Sequence, residues 1–220
     1  SSWQIELFRY KEPLTLLGGL ADYDYGHWCK EILPGESFAS PKAIVAVGEN
    51  LNKVCDMLVK AQNPEISPVD ADLPVIFNEY CTSWGNPTIE NLEKTAKKLQ
   101  GSGIRYLVMD SGWYKEEGKN WWDTIGDWNV SEQLFPEGLK PVNDMIKSYG
   151  LIPGIWFEME NVAPLSAVYN ETDHLLARQG VPLSVGGHRF LDMRDEWCVN
   201  YLDEKVIKLL ADSGYGYLKV

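Results

Sequence analysis

Several chemistries are missing from this sequence of 220 residues. Its three histidines, His27, His174 and His188, lie far apart, and its four cysteines, Cys29, Cys55, Cys81 and Cys198, form no C-x-x-C pair. Neither set has metal-ligand spacing, so no metal is expected, and the thiols read as ordinary buried side chains. Basic residues are in short supply: 20 Lys and Arg stand against 32 Asp and Glu, a formal net charge of −12. A surface that tracks phosphates needs the opposite sign, which argues against nucleic acid or an anionic membrane as partner. The acids are scattered and read as a solvated surface. No apolar run reaches the roughly 18 residues of a membrane span. The stretch SSWQIELFRYKE lacks the basic and apolar regions of a signal peptide, so the residues in hand favour a cytoplasmic location. A nucleophile elbow is also missing beside His188 and Asp192 in GGHRFLDMRD, which removes the hydrolase-triad reading.

Tryptophan, by contrast, is plentiful. Nine are present, and five of them lie between Trp113 and Trp156. Single tryptophans pack cores, but a cluster on loops offers flat apolar faces beside hydrogen-bonding groups, which suits sugar rings.

The texture changes along the chain. Residues 1–61 are strand-like and irregular, with SWQIELFRY, LTLLGGL and PKAIVAVG as strand candidates. Leu51, Val54, Leu58 and Ala61 step at helical spacing. Residues 62–73, rich in proline and acids, read as a linker. From 74 onward, apolar strands alternate with helices. LPVIFNEY, YLVMDSG, LIPGIWFEME and YGYLKV are the strands. Helices carry Ile89, Leu92, Ala96 and Leu99, then Leu139, Val142, Ile146 and Tyr149, then Val199, Leu202, Val206 and Leu209. Alternation of this kind means βαβ units and a parallel sheet. Long polar and aromatic loops after the strands predict a (β/α)₈ barrel. A doubly wound sheet is the rival, but no glycine-rich phosphate turn follows the first strand. Four main strands make half a barrel.

The C-terminal strand ends, where a barrel holds its site, carry Asn78, Glu79 and Tyr80; Asp110, Ser111 and Trp113; Trp156, Glu158 and Glu160; and Lys219. Carboxylates, hydroxyls, aromatics and a cation suit recognition of a polyhydroxylated ring. A lysine at a buried strand end needs a carboxylate beside it, and one just past Val220 would serve. Glu158 and Glu160 alternate with Phe157 and Met159 and could face solvent instead.

Together, YLVMDSGWY, IGDWNVSEQLFPEGLKPVNDMIKSYGLIPGIWFEME, RFLDMRD and YGYLKV resemble family 36 of the glycoside hydrolases, the α-galactosidases and α-N-acetylgalactosaminidases. The resemblance covers residues 74–220, and residues 1–61 look like the closing strands of the β-sandwich that precedes the barrel. It implies a retaining α-glycosidase with two carboxyl groups about 5–5.5 Å apart and no cofactor. Its nucleophile is expected just after Val220 and its acid/base on a later strand, so that neither lies in this piece. Lys219 would contact sugar hydroxyls, and Asp110 matches the first of two adjacent aspartates that hold the galactose 4- and 6-hydroxyls. The second is Ser111 here, a departure that bears on galactose selectivity. Trp156 matches the tryptophan of the family's WxEPE-like motif, with Met159 at the proline. An arginine that many members carry falls at Gly186 or Gly187, with His188 and Arg189 close by, which leaves an N-acetylated sugar open. The substrate-binding set is then Asp110, Ser111, Trp113, Trp156, Lys219, Tyr80 and Arg189. The expected partner is a small-molecule or glycan substrate, with a homo-oligomer open for the full-length enzyme. A non-catalytic carbohydrate-binding relative is the alternative of another class.

Overall fold

The computed structural model describes residues 3–9, 13–26, 28–63, 65–116 and 118–220. The statement above on His27 lies outside the described residues. Two units are separated along the chain, Ser1–Ser67 and Pro68–Val220.

In the first unit, β1 (Trp3–Arg9) and β2 (Leu14–Leu20) form an antiparallel hairpin, followed by α1 (Tyr23–Gly26) and α2 (Leu51–Gln62). Helix α2 begins where the Asn50 side chain accepts the Lys53 N–H at 3.0 Å, and it ends at Asn63 with φ 42°. That is capping at both ends of the helix expected from Leu51, Val54, Leu58 and Ala61. PKAIVAVG, expected as a strand, is not one: residues 41–48 carry no strand pairing. An apolar run becomes a strand only when a neighbour takes its backbone groups, and among the described residues none does.

The second unit begins with β3 (Val75–Asn78), α3 (Tyr80–Ser83), α4 (Ile89–Leu99), β4 (Ile104–Met109), α5 (Lys140–Ser148) and β5 (Ile152–Trp156). Next come the two-residue strands β6 (Asn161–Val162), β7 (Ala177–Arg178), β8 (Val181–Pro182) and β9 (Arg189–Phe190). Helix α6 (Glu196–Leu202) runs through a π-helical segment, Asp203–Ile207, into α7 (Lys208–Ser213), and β10 (Tyr217–Lys219) follows. The strand order is β10-β5-β4-β3, and every neighbouring pair is parallel. Each new strand is thus added on the same side of the last. A doubly wound sheet reverses at a switch point; this one does not, and the unit is a parallel half-barrel.

Helix α4 starts at Thr88, whose hydroxyl accepts the Asn91 N–H at 3.1 Å, and it buries Leu92, Thr95 and Ala96. Helix α5 buries Val142, Asn143 and Ile146. These apolar side chains join Leu107, Met109, Ile155 and Phe157 in one core. Tyr106 and Val108, which alternate with those residues, point to the other face of the sheet. There Gly154 of β5 lies between Val108 and Tyr217. A Cβ on it would come within 2.9 Å of Val108 Cγ2 and 3.1 Å of Tyr217 Cδ1. Its bareness lets the Tyr106 and Tyr217 rings approach to 5.2 Å across the strand. On the last helical stretch Val199 is exposed, and the buried stripe is Cys198, Leu202 and Val206 instead. Cys198, Leu202 and Val206 step by four along one helical face, and Val199 falls beside that face.

Among the described residues, no helix is long and apolar enough to cross a membrane, and no group of three or more His, Cys, Asp or Glu is set to hold a metal ion.

Candidate active site

The C-terminal ends of the four parallel strands bring Glu79, Asp110, Trp156 and Lys219 together. Asp110 follows β4 directly and is 5% exposed. Its Oδ1 accepts the Ser111 N–H at 2.8 Å, and its Oδ2 accepts from Lys219 Nζ at 2.6 Å. Lys219 reaches Asp110 past β5, where its strand neighbour is Trp156. The carboxylate expected beside this lysine is therefore Asp110, supplied from two strands away. A pair so sheltered persists because its remaining hydrogen-bonding capacity is used: Asp110 has a backbone donor, and Lys219 keeps more than a third of its side chain in solvent.

Beneath this pair lies Glu79, with no exposed surface. Its Oε1 accepts the Asp110 N–H at 3.0 Å. Burial pushes the Glu79 carboxyl above its ordinary pKa, and the Asp110 charge adds to this, while the Ser83 hydroxyl, the Asp110 N–H and the Lys219 ammonium oppose it.

Aromatic rings surround the strand ends. Trp156 is half-buried, with Trp121 edge-on at 6.0 Å, and Tyr80 stands edge-on to Trp121 at 6.0 Å. Trp121 is seated against Gly85, where a Cβ would be 2.1 Å from its Cδ1. Trp113 corrects an expectation. It has no exposed surface, stacks near Trp128 at 6.1 Å and meets Phe157 at 5.1 Å. Its Nε1 donates to the Trp156 carbonyl at 3.1 Å. From there it supports Trp156 and offers no face to a ligand.

The sequence matches the melibiase family over residues 37–220. This chain belongs to the melibiase family.

Among similar melibiases and their kin, α-galactosidase AgaA of Geobacillus stearothermophilus is 27% identical over 195 residues, covering 84% of this chain and 26% of its own length. An α-galactosidase of Escherichia coli is 28% identical over 151 residues, covering 66% of this chain and 21% of its own. The crystal structure of the family 36 α-galactosidase AgaB from Geobacillus stearothermophilus superposes with a TM-score of 0.62 at 28% identity, over 70% of this chain and 21% of that one. A substituted AgaA solved in complex with stachyose gives a TM-score of 0.61 at 28% identity, over 68% of this chain and 21% of that one. The chain therefore spans about a quarter of the length of the curated relatives it matches.

Other expected residues of this melibiase-family chain lie as follows. Ser111 is fully buried, and its hydroxyl has no hydrogen-bonding partner. Arg189 is held elsewhere: its Nη1 donates to the Tyr169 carbonyl at 2.6 Å, and its guanidinium lies 4.1 Å from the Tyr169 ring centre. No contact joins it to Asp110 or Lys219 among the bonds of the described residues. His188 is buried, with Nδ1 2.6 Å from Asn161 Oδ1 and its ring 4.3 Å from that of Trp122. Burial lowers its pKa, against the pull of the Glu158 and Asp123 carboxylates. Glu158 is half-buried and Glu160 is exposed. Asp192 binds Arg194, its neighbour two residues on, at 2.6 Å. Two residues were not singled out from the sequence. One is Glu79, named only as a strand end. The other is Lys115, which is buried, donates to Asn86 Oδ1 and has its pKa lowered by burial. For Glu79 a signal existed, an acid inside the otherwise apolar run VIFNEY; for Lys115 none did.

Proposed function

We propose that this chain supplies the sugar-holding part of a retaining α-glycosidase that hydrolyses terminal α-galactosides. The observation that carries the reading is the Asp110–Lys219 pair, 2.6 Å apart at the C-terminal end of a parallel half-barrel. A sugar hydroxyl is both donor and acceptor. Inserted between these groups, it donates a hydrogen bond to Asp110 Oδ2 and accepts one from Lys219 Nζ, replacing their contact without loss of a bond. Trp156 beside them offers an apolar face to the C–H side of the ring.

The relatives named above are α-galactosidases, one of them solved with stachyose, which supports galactose over N-acetylgalactosamine. The retaining route needs a nucleophile and an acid/base about 5–5.5 Å apart. Neither is assigned to a residue of this chain; the family resemblance puts the nucleophile just after Val220 and the acid/base on a later strand. Tyr80 completes the sugar-binding set, Trp113 and the buried Ser111 serve it from behind, and Arg189 is held apart by Tyr169.

Residues 74–220 are then the first half of a (β/α)₈ barrel, 62–73 a linker, and 1–61 the end of a β-sandwich. An isolated two-stranded hairpin is marginal in water, and β1 leaves Trp3, Ile5 and Leu7 exposed. That supports a hairpin belonging to a larger sheet.

The test is to express the complete reading frame that contains this segment and assay it with an aryl α-galactoside. Turnover with retention of anomeric configuration is expected. Sugar binding without turnover would favour a carbohydrate-binding relative instead, and the absence of both would overturn the reading.

A further inference from the structure

We infer that Glu79 is a positioning residue for sugar binding: its carboxyl holds the main chain of Asp110 and so sets where the Asp110 carboxylate meets Lys219. The inference rests on reading Asp110 and Lys219 as the groups that hold a sugar hydroxyl.

The β3–β4 pairing ends at Asn78 and Val108, because the chain turns into α3 at Tyr80. Glu79 N–H still donates to the Val108 carbonyl at 3.0 Å. In the other direction, the Asp110 N–H has lost its neighbouring strand, and Glu79 Oε1 takes it at 3.0 Å. The two strand ends are thus tied both ways, once by backbone and once by a side chain. An alanine here would leave a buried N–H without an acceptor just where Asp110 must be held.

The second oxygen of the same carboxyl, Oε2, is buried without a hydrogen-bonding partner. A carboxylate so stripped of water is costly, and burial shifts the balance toward the neutral acid. The charged groups that act on it are Asp110 at the end of β4 and Lys219 on β10, and the Ser83 hydroxyl on α3 favours its charged form. With Glu79 neutral, the Lys219 ammonium is matched by one carboxylate. Ionised, Glu79 would repel Asp110 and compete for Lys219.

Two variants of the complete reading frame test this, each followed by aryl α-galactoside kinetics across pH and by a crystal structure. Glu79→Gln keeps an acceptor oxygen in the same shape and removes the titration. Its KM should stay within about twofold of the parent, and Asp110 should remain within hydrogen-bonding distance of Lys219. Glu79→Leu removes the acceptor; KM should rise about tenfold with kcat nearly unchanged, and Asp110 should leave hydrogen-bonding distance of Lys219. A folded Leu variant with parental KM and an unmoved Asp110–Lys219 pair overturns the inference, as does a Gln variant whose KM rises as far as that of the Leu variant. A parent that turns over no α-galactoside refutes the α-galactosidase reading separately, and the Asp110–Lys219 geometry in the Leu crystal structure then decides on Glu79.

Discussion

Replacing Gly112 with alanine is the sharpest packing test of how the site is held. Gly112 lies two residues beyond Asp110, at φ +96°, and a Cβ on it would stand 2.1 Å from the Gly85 carbonyl oxygen. The obstacle is backbone, which cannot rotate aside as a flexible side chain would. Left-handed backbone costs an L-residue about 1–2 kcal/mol, and overpacking adds about 1–3 kcal/mol. The total, about 3 kcal/mol or more, corresponds to a fall in melting temperature of roughly 6–12 °C for a unit of this size. Gly150→Ala is the control, because Gly150 has φ +78° with nothing within 4 Å of its would-be Cβ. It should suffer the backbone cost alone, about 1–2 kcal/mol. Thermal melts of both variants of the full-length protein, followed by tryptophan fluorescence, give the comparison. Equal shifts for Gly112→Ala and Gly150→Ala would show that the Gly85 carbonyl does not require a bare glycine at 112.

Further outcomes follow from other parts of the unit. Trp113→Ala should cost about 3–5 kcal/mol, as a large core truncation does, and should lower stability more than sugar affinity; denaturant melts and galactose titrations separate the two. His188 is held neutral by burial, so its folded pKa lies below its unfolded one. Below about pH 6.5 the unfolded chain then takes up a proton that the folded one refuses, and stability falls as pH drops through that window. His188→Gln should flatten this dependence in melts between pH 7 and pH 5, and an unchanged slope would contradict the assignment. The 220-residue chain by itself should release no nitrophenol from an aryl α-galactoside, because both reacting carboxyls are assigned outside it; measurable turnover would contradict that assignment.

Much of the half-barrel was legible because burial leaves a periodic mark. Leu92 and Ala96, or Leu139, Val142 and Ile146, sit at helical spacing and are buried as expected. Thr88 announces its helix by capping it. What the sequence concealed is where periodicity fails. Strands β6 and β9 are two residues long and pair only because the chain returns to them, which no local pattern records. The buried stripe of the last helix runs through Cys198 and leaves Val199 exposed, a difference of one position between two apolar neighbours that helical spacing alone does not decide. PKAIVAVG has the composition of a strand without a neighbour. Trp113 was read with the sugar-facing aromatics, because a cluster of tryptophans does not say which rings face inward. Lys219 needed a carboxylate, but that it would be Asp110 depended on the strand order, which brings residues 109 apart in sequence into contact.

The most direct measurement compares the parent and Asp110→Asn in the complete reading frame, with p-nitrophenyl α-galactoside as substrate. The asparagine keeps an oxygen for the Ser111 N–H but turns an amide toward Lys219, removing a charge-assisted acceptor worth about 1.5–3 kcal/mol. Hydrolysis by the parent and a fall in kcat/KM of about tenfold to a hundredfold in the variant are predicted. Parental turnover that survives the substitution unchanged, or a parent that neither binds nor cleaves the galactoside, would contradict the account.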